Sequence, residues 1–371
     1  MLVFKVGAQT PTLNIADSLY VVGNNEEAIK ELEMLSPKSD AALLKLARSY
    51  KAIGNWEKAL SSYETVLHKN PSRVLTAIDY GEVLIKMGEL KAADSLFANL
   101  ATRYPQNAGF EYQLGLIKEK EQDSTYLDHF RRTIKIDKYH QQALYKLAKY
   151  ELSRREFTLS EELALQGLEK DPENASLLSI LAQTYFNERS YIVAITPFEK
   201  LLELNQGSEF VHTKLGYCYY QAHWVEEAIG QYKVALTYED RNSDTHYNLG
   251  KLYARTGDLE KSEMHLLMAL LIKKQPVDNE YLSLALTYKL KEDYKKSLEY
   301  FDAALEENPD NERALYERAV AADNYFKDMQ SVLKYYQAYL NKYEKEGEEH
   351  LVYLAQIRMK DIRKDLHLAG E

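Results

Sequence analysis

The sequence predicts an all-α chain, a solenoid of helix-turn-helix repeats. Three observations predict it: few chain-breaking residues, a 34-residue period, and small residues at two fixed places in each period. Fifteen glycines and eight prolines in 371 residues are about half the share of an average soluble protein. Pro71, Pro105, Pro172 and Pro309 stand at multiples of 34 residues to within one, a period that marks stacked helical pairs. Starting one repeat at Asp40 places the next at Val74, Ala108, Gln141, Ala175, Glu209, Ser243, Asp278 and Glu312. A shortened copy runs from Gln9 to Ser39, which makes ten units.

Each element of the unit follows from its register. Position 8 is Ala or Gly in all ten units, Ala47, Gly81, Gly115, Gly216 and Gly250 among them, and position 20 is small in nine. Small residues at both places let two helices approach closely. Position 7 is large and apolar in nine units, for example Leu46, Leu114 and Leu215, and position 24 carries knobs such as Tyr63, Phe97, Phe130, Phe198, Tyr232 and Phe301. These fill the space that the small residues leave. Gly23, Gly54, Gly88 and Gly257 share position 15, where a left-handed residue ends the first helix and turns the chain into the second.

Leu46-Ala47-x-x-Tyr50, followed by Gly54-Asn55-Trp56, Ala59, Tyr63 and Pro71, resembles a tetratricopeptide repeat (TPR), as do Leu215-Gly216-x-x-Tyr219 with Ala228, Tyr232 and Ala235. The resemblance covers residues 10–345 and implies a right-handed superhelix of about ten units that holds partner proteins or peptides on a concave face. Several residues depart from the pattern. Lys118 and Glu151 replace apolar residues, and Tyr126 replaces a small one, so the stack is expected to loosen there. Pro197 falls inside a predicted second helix, where a kink costs up to about 3 kcal/mol unless the helix starts later. Arg318 takes an apolar position in the last unit. Beyond Gly347 a final amphipathic helix, residues 349–367, with Leu351, Leu354, Ile357 and Leu366 apolar, is expected to cap the solenoid.

Composition narrows the function classes. Hydrophobic content of 45% and charged content of 28% suit a folded chain rather than a disordered one. Forty-seven basic against 57 acidic residues, net −10, disfavour a nucleic-acid partner, because phosphate backbones are held by basic surfaces. No run reaches the ~20 apolar residues of a membrane span. Gly7-Ala8-Gln9 before Thr10-Pro11 resembles the tail of a bacterial signal peptide. Residues 1–9 are therefore expected to be either such a remnant or a frayed terminus. The first favours the periplasm or cell envelope, the second the cytoplasm.

No phosphate-binding loop, nucleophile elbow or zincin motif is present in the sequence, so the reading is of a non-enzymatic protein with no cofactor and no metal. The nearest thing to a metal set is Glu209-x-x-His212 with His246 one repeat later; ordinary helix packing explains both histidines more simply. The single cysteine, Cys218, reads as a small core residue. In the resembled family, positions 2, 5, 9, 12 and 13 of each first helix face the groove. Here they present Tyr145, Phe186, Tyr217, Tyr220 and Tyr247 as stacking surface, with Lys149, Lys251 and Arg255 as carboxylate partners. Tyrosine and arginine recur in binding hot spots because they bury large area and keep a polar tip. The expected function is a scaffold or adaptor binding a protein or peptide with apolar and acidic groups; the alternative is a cytoplasmic regulatory or assembly module. Thr213 and Tyr217 stand where a Lys-then-Asn clamp for chaperone tails belongs, which disfavours that ligand.

Overall fold

The computed structural model describes residues 10–273 and 277–369. Residues 1–9, which hold the signal-like junction, lie outside them. Among the described residues there are twenty-one helices and no strand. The chain divides into two compact units, one ending at Thr184 and one beginning at Tyr185.

The first unit contains α1 (Thr10–Val21), α2 (Asn25–Glu33), α3 (Asp40–Ala52), α4 (Trp56–Lys69), α5 (Val74–Met87), α6 (Leu90–Arg103), α7 (Ala108–Lys120), α8 (Tyr126–Ile136), α9 (Gln141–Ser153) and α10 (Phe157–Lys170). It also holds most of α11 (Ala175–Asn187). The second begins within α11 and continues through α12 (Tyr191–Glu203), α13 (Glu209–Gln221), α14 (Val225–Tyr238), α15 (Ser243–Thr256), α16 (Leu259–Ile272), α17 (Asp278–Leu290), α18 (Tyr294–Glu307), α19 (Glu312–Tyr325), α20 (Met329–Tyr343) and α21 (Glu349–Ala369). Each first helix from α3 onward starts at the first residue of its predicted repeat.

Local chemistry sets these boundaries. The residue before most first helices caps the helix: Ser39 Oγ accepts from the Ala42 N–H, Asn242 Oδ1 from Thr245 and Asn311 Oδ1 from Ala314, which satisfies an otherwise orphaned donor; Arg73 and Val277 make no such cap. The inter-helix turn needs a left-handed residue at position 15. Gly54 and Gly88 supply it, and so do Gln122, Arg155, Arg189, His223 and Glu292, all with φ between 60 and 69°. The turn geometry thus persists in units where the sequence shows no glycine.

Packing follows the predicted register. At position 8 the backbone touches the position-24 knob of the same hairpin: a Cβ on Gly81 would lie 2.6 Å from the Phe97 ring, and one on Gly115 2.5 Å from that of Phe130. Phe97, Phe130, Phe198, Tyr232 and Phe301 are fully buried. Pro197 sits inside α12, six residues after its start, and is itself buried. Lacking an N–H, it leaves the Val193 carbonyl without its intrahelical donor.

Lys118 and Glu151 meet charged partners where an apolar contact is expected. In five units position 11 reaches back to the second helix of the preceding hairpin, whereas Leu84 and Ala322 take the same place with an apolar side chain. The Tyr50 hydroxyl donates to Glu33, Tyr219 to Glu199 at 2.5 Å, and Tyr288 to Glu263. Lys118 makes the same bridge to Asp94 at 3.1 Å. Glu151 makes it with the polarity reversed, to Arg131 at 3.9 Å.

At the other end Arg318 pairs with Asp302 at 2.7 Å and lies over the Tyr335 ring. Helix α21 packs through Val352, Ala355 and Ile362 into a cluster with Leu315, Tyr336, Tyr339 and Leu340. Its buried face is therefore rotated from the expected one: Leu354 and Ile357 are exposed. Arg358 fixes it further through a two-pronged hydrogen bond to Asp323, 2.6 and 2.8 Å.

Candidate functional site

The first helices carry the candidate residues. In the first unit Tyr145 and Lys149 lie one turn apart on α9, with the amine 5.9 Å from the ring centroid. The other six stand in the second unit, and five of them join one continuous set of contacts.

Phe186, at the end of α11, has Tyr217 of α13 at 5.5 Å between ring centroids and Tyr191, the first residue of α12, also at 5.5 Å. Tyr191 and Tyr217 meet edge-on at 5.3 Å, and Tyr217 is 6.1 Å from Tyr220 one turn along. Tilted and edge-on rings at these separations are favoured by the aromatic quadrupole. Lys251 of α15 then lies 5.1 Å from Tyr220 and 5.2 Å from Tyr247, bridging two first helices through its amine. Ser283 of α17 donates to the Tyr247 hydroxyl at 3.5 Å. Arg255 is exposed, and its guanidinium donates to His223 Nδ1 at 3.4 Å.

Sequence reasoning missed Lys214 and Tyr191. Lys214 sits 4.4 Å from the Phe186 ring centroid and 5.7 Å from that of Phe210. It occupies position 6, between positions 2 and 9 on the same helical stripe, so the 3.6-residue period could have found it. Tyr191 belongs to a second helix, and only the tertiary fold brings it to this face.

The electrostatics distinguish this patch from its surroundings. Elsewhere in the second unit the half-buried cations are paired: Lys273 with Glu280 at 2.7 Å, Lys289 with Glu317 at 2.5 Å, Lys291 with Glu263 at 2.6 Å. Among the described residues the half-buried Lys214 and Lys251 have no carboxylate within ion-pair distance, and neither has the exposed Arg255. A cation over an aromatic face keeps its capacity to donate to an incoming anion. The patch is thus an aromatic floor carrying uncompensated positive charge, in a chain whose net charge is −10.

The remaining candidates have other partners. His212 shares a hydrogen bond with Gln231 at 2.7 Å and stacks on Tyr238. Glu209 accepts from Thr213 and Asn242. His246 Nδ1 is 2.9 Å from His265 Nδ1, and its Nε2 donates to the Asp240 carbonyl at 3.0 Å. The Glu209, His212 and His246 side chains therefore do not converge. Cys218 is buried, and that burial pushes its thiol up to about 12, opposite to the shift that activates a nucleophilic thiolate.

Comparison with known proteins gives one consistent family. Tetratricopeptide repeat models match residues 41–72, 145–209, 243–276 and 281–311. Tetratricopeptide repeat protein 21B of Xenopus laevis is 28% identical over 277 residues, 69% of this chain and 19% of that protein. Anaphase-promoting complex subunit 3 of Schizosaccharomyces pombe is 23% identical over 158 residues, 42% of this chain and 24% of that protein. The chain thus spans a quarter or less of the length of these two relatives. Among solved structures, YrrB, described as a TPR protein with an unusual peptide-binding site, matches with a TM-score of 0.48 at 20% identity, over 51% of this chain and 97% of that one.

Proposed function

Since the chain belongs to the tetratricopeptide repeat proteins, a family of interaction scaffolds, we propose that it is a non-enzymatic adaptor that holds a peptide segment of another protein on the first-helix face of its second unit. The segment carries acidic side chains next to aromatic or aliphatic ones. The observation that carries this reading is the coincidence of three cations without carboxylate partners, Lys214, Lys251 and Arg255, with the half-buried aromatic set Phe186, Tyr191, Tyr217, Tyr220 and Tyr247. Apolar side chains of the segment stack on the rings, and its carboxylates reach the amines and the guanidinium. Tyr145 and Lys149 repeat the pairing of ring and amine in the first unit and are proposed to serve the same kind of ligand. The match to a subunit of a multiprotein complex supports a role in assembly.

The test is fluorescence anisotropy with a labelled peptide alternating Glu with Phe and Leu. Replacing Tyr217 and Tyr247 together by Ala is expected to weaken binding at least about tenfold with the helical circular dichroism unchanged, and Lys251→Glu to abolish it. Equal binding by the folded double variant removes the proposal.

A further inference from the structure

The second helices of the second unit carry a different surface. The second helix of a hairpin turns its outer face to solvent, and in α18 that face reads Glu299, Asp302 and Glu306. In α16 the matching places hold Met264, Leu267 and Leu271, which are 52%, 41% and 76% exposed. Their spacing of three and four residues puts them in one stripe along the helix. Helix α14, which like α16 packs on α15, adds Val234 and Tyr238, 39% and 56% exposed.

Gly230 is the second observation. It lies in the middle of α14, one turn before Val234, and a Cβ there would meet nothing within 4 Å. No contact within the chain requires it, although glycine is the least favourable residue after proline in a helix interior. A bare backbone beside an exposed apolar stripe is what close approach of another helix uses.

We infer that the outer faces of α14 and α16 dock an amphipathic helix of a partner protein, with basic residues flanking its apolar stripe. The first turns of α14 and α16 hold Glu226, Glu227 and Glu260. Glu260 is almost fully exposed, with the Lys291 amine 3.9 Å away, while Lys261 is tied to Asp258. The charge left free at that end is acidic, and it complements a basic helix. Five side chains fall short of the ~800 Å² per partner that a stable dimer buries, which argues for a short helix over a second copy. This surface is independent of the aromatic patch on the first helices.

The probe is a labelled synthetic helix of about four turns with Leu at one-face spacing and Lys elsewhere. Saturable binding is expected, weakened at least about tenfold by Leu267→Asp with Leu271→Asp, and unaffected by Tyr217→Ala. Gly230→Gln is expected to give a protein at least as stable as the parent that binds the probe at least about tenfold more weakly. That result separates docking from folding. The proposal is overturned if a scrambled peptide of the same composition binds equally, if a Leu/Glu helix binds as tightly, or if both variants bind like the parent. It also falls if the parent sediments as a dimer that the Asp variant dissociates, because the occupant is then a second copy.

Discussion

Lowering the pH from 7 to 5 tests the electrostatics of the second unit at one place, the histidine pair between α15 and α16. His246 donates through Nε2 to the Asp240 carbonyl, so its Nδ1 is the acceptor and His265 Nδ1–H the donor of the 2.9 Å bond between them. His265 Nε2 is left as the site that takes up a proton. Burial first, then His246 and the Lys261 amine, hold His265 down to about 4, against 6.5 in an unfolded chain. Tyr253 stacks flat on the ring at 5.5 Å and supplies no charge. Because the folded value is the lower one, the unfolded chain binds more protons between the two. Stability is complete above pH 6.5, falls as the pH drops toward about 4, and changes no further from this group below that. At pH 5 the loss is about 2 kcal/mol on a scale of ~1.4 kcal/mol per pH unit, reduced toward about 1 kcal/mol by the solvent contact the ring retains. Hydrogen exchange of the α15 and α16 amides at pH 7 and pH 5 reads the change locally. His265→Gln keeps a donor toward His246 and removes the titrating ring, so the difference between variant and parent isolates this pair from carboxylates such as Glu263, which titrate lower. Parallel pH profiles for parent and His265→Gln refute the assignment.

Three further outcomes follow from the backbone and the core. Arg155→Gly and Glu292→Gly, at φ of 63 and 60°, each relieve left-handed strain of ~1 kcal/mol and raise the thermal midpoint, whereas Gly54→Ala at φ 75° lowers it. Gly115→Ala places a methyl 2.5 Å from the Phe130 ring and costs about 1–3 kcal/mol in urea unfolding; Gly216→Ala, 3.1 Å from the Tyr232 ring, costs less. Asp323→Ala breaks the two-pronged contact to Arg358 and increases amide exchange in α21 while leaving α15 and α16 unchanged.

The hairpin register was legible because it is written in residues whose role is local and steric. A small residue at position 8 and a ring at position 24 recur together in seven of the ten repeats, so periodicity alone locates both helices. The left-handed turn was only half legible. Gly54 and Gly88 announce it, but Arg155 and His223 adopt the same φ without any sequence mark, since the close packing of the two helices compensates a strain of about 1 kcal/mol. The candidate patch was legible for the same reason as the core: Tyr217, Tyr220 and Lys251 sit where the register turns them to one face. What periodicity cannot supply is pairing. That Lys214, Lys251 and Arg255 lack carboxylate partners while Lys289 and Lys291 have them depends on which side chains neighbouring hairpins bring within reach.

Position 11 shows most directly how such pairing replaces a sequence rule. Read as a column, Tyr50, Lys118, Glu151, Tyr219 and Tyr288 look like a conserved-size apolar site with two errors. In space each is one end of a bridge to the preceding second helix, and what stays constant is the bridge: a phenol or ammonium donates to Glu33, Asp94, Glu199 or Glu263, and where the donor moves to the partner helix as Arg131, position 11 becomes the acceptor Glu151. A buried carboxylate without that cation is expensive, so the two residues make physical sense only together. The cations beside the aromatic set of the second unit show the converse. Among the described residues of the second unit, Lys214 and Lys251 are half-buried cations with no carboxylate within ion-pair distance, and the counter-charge proposed for them is that of a bound peptide.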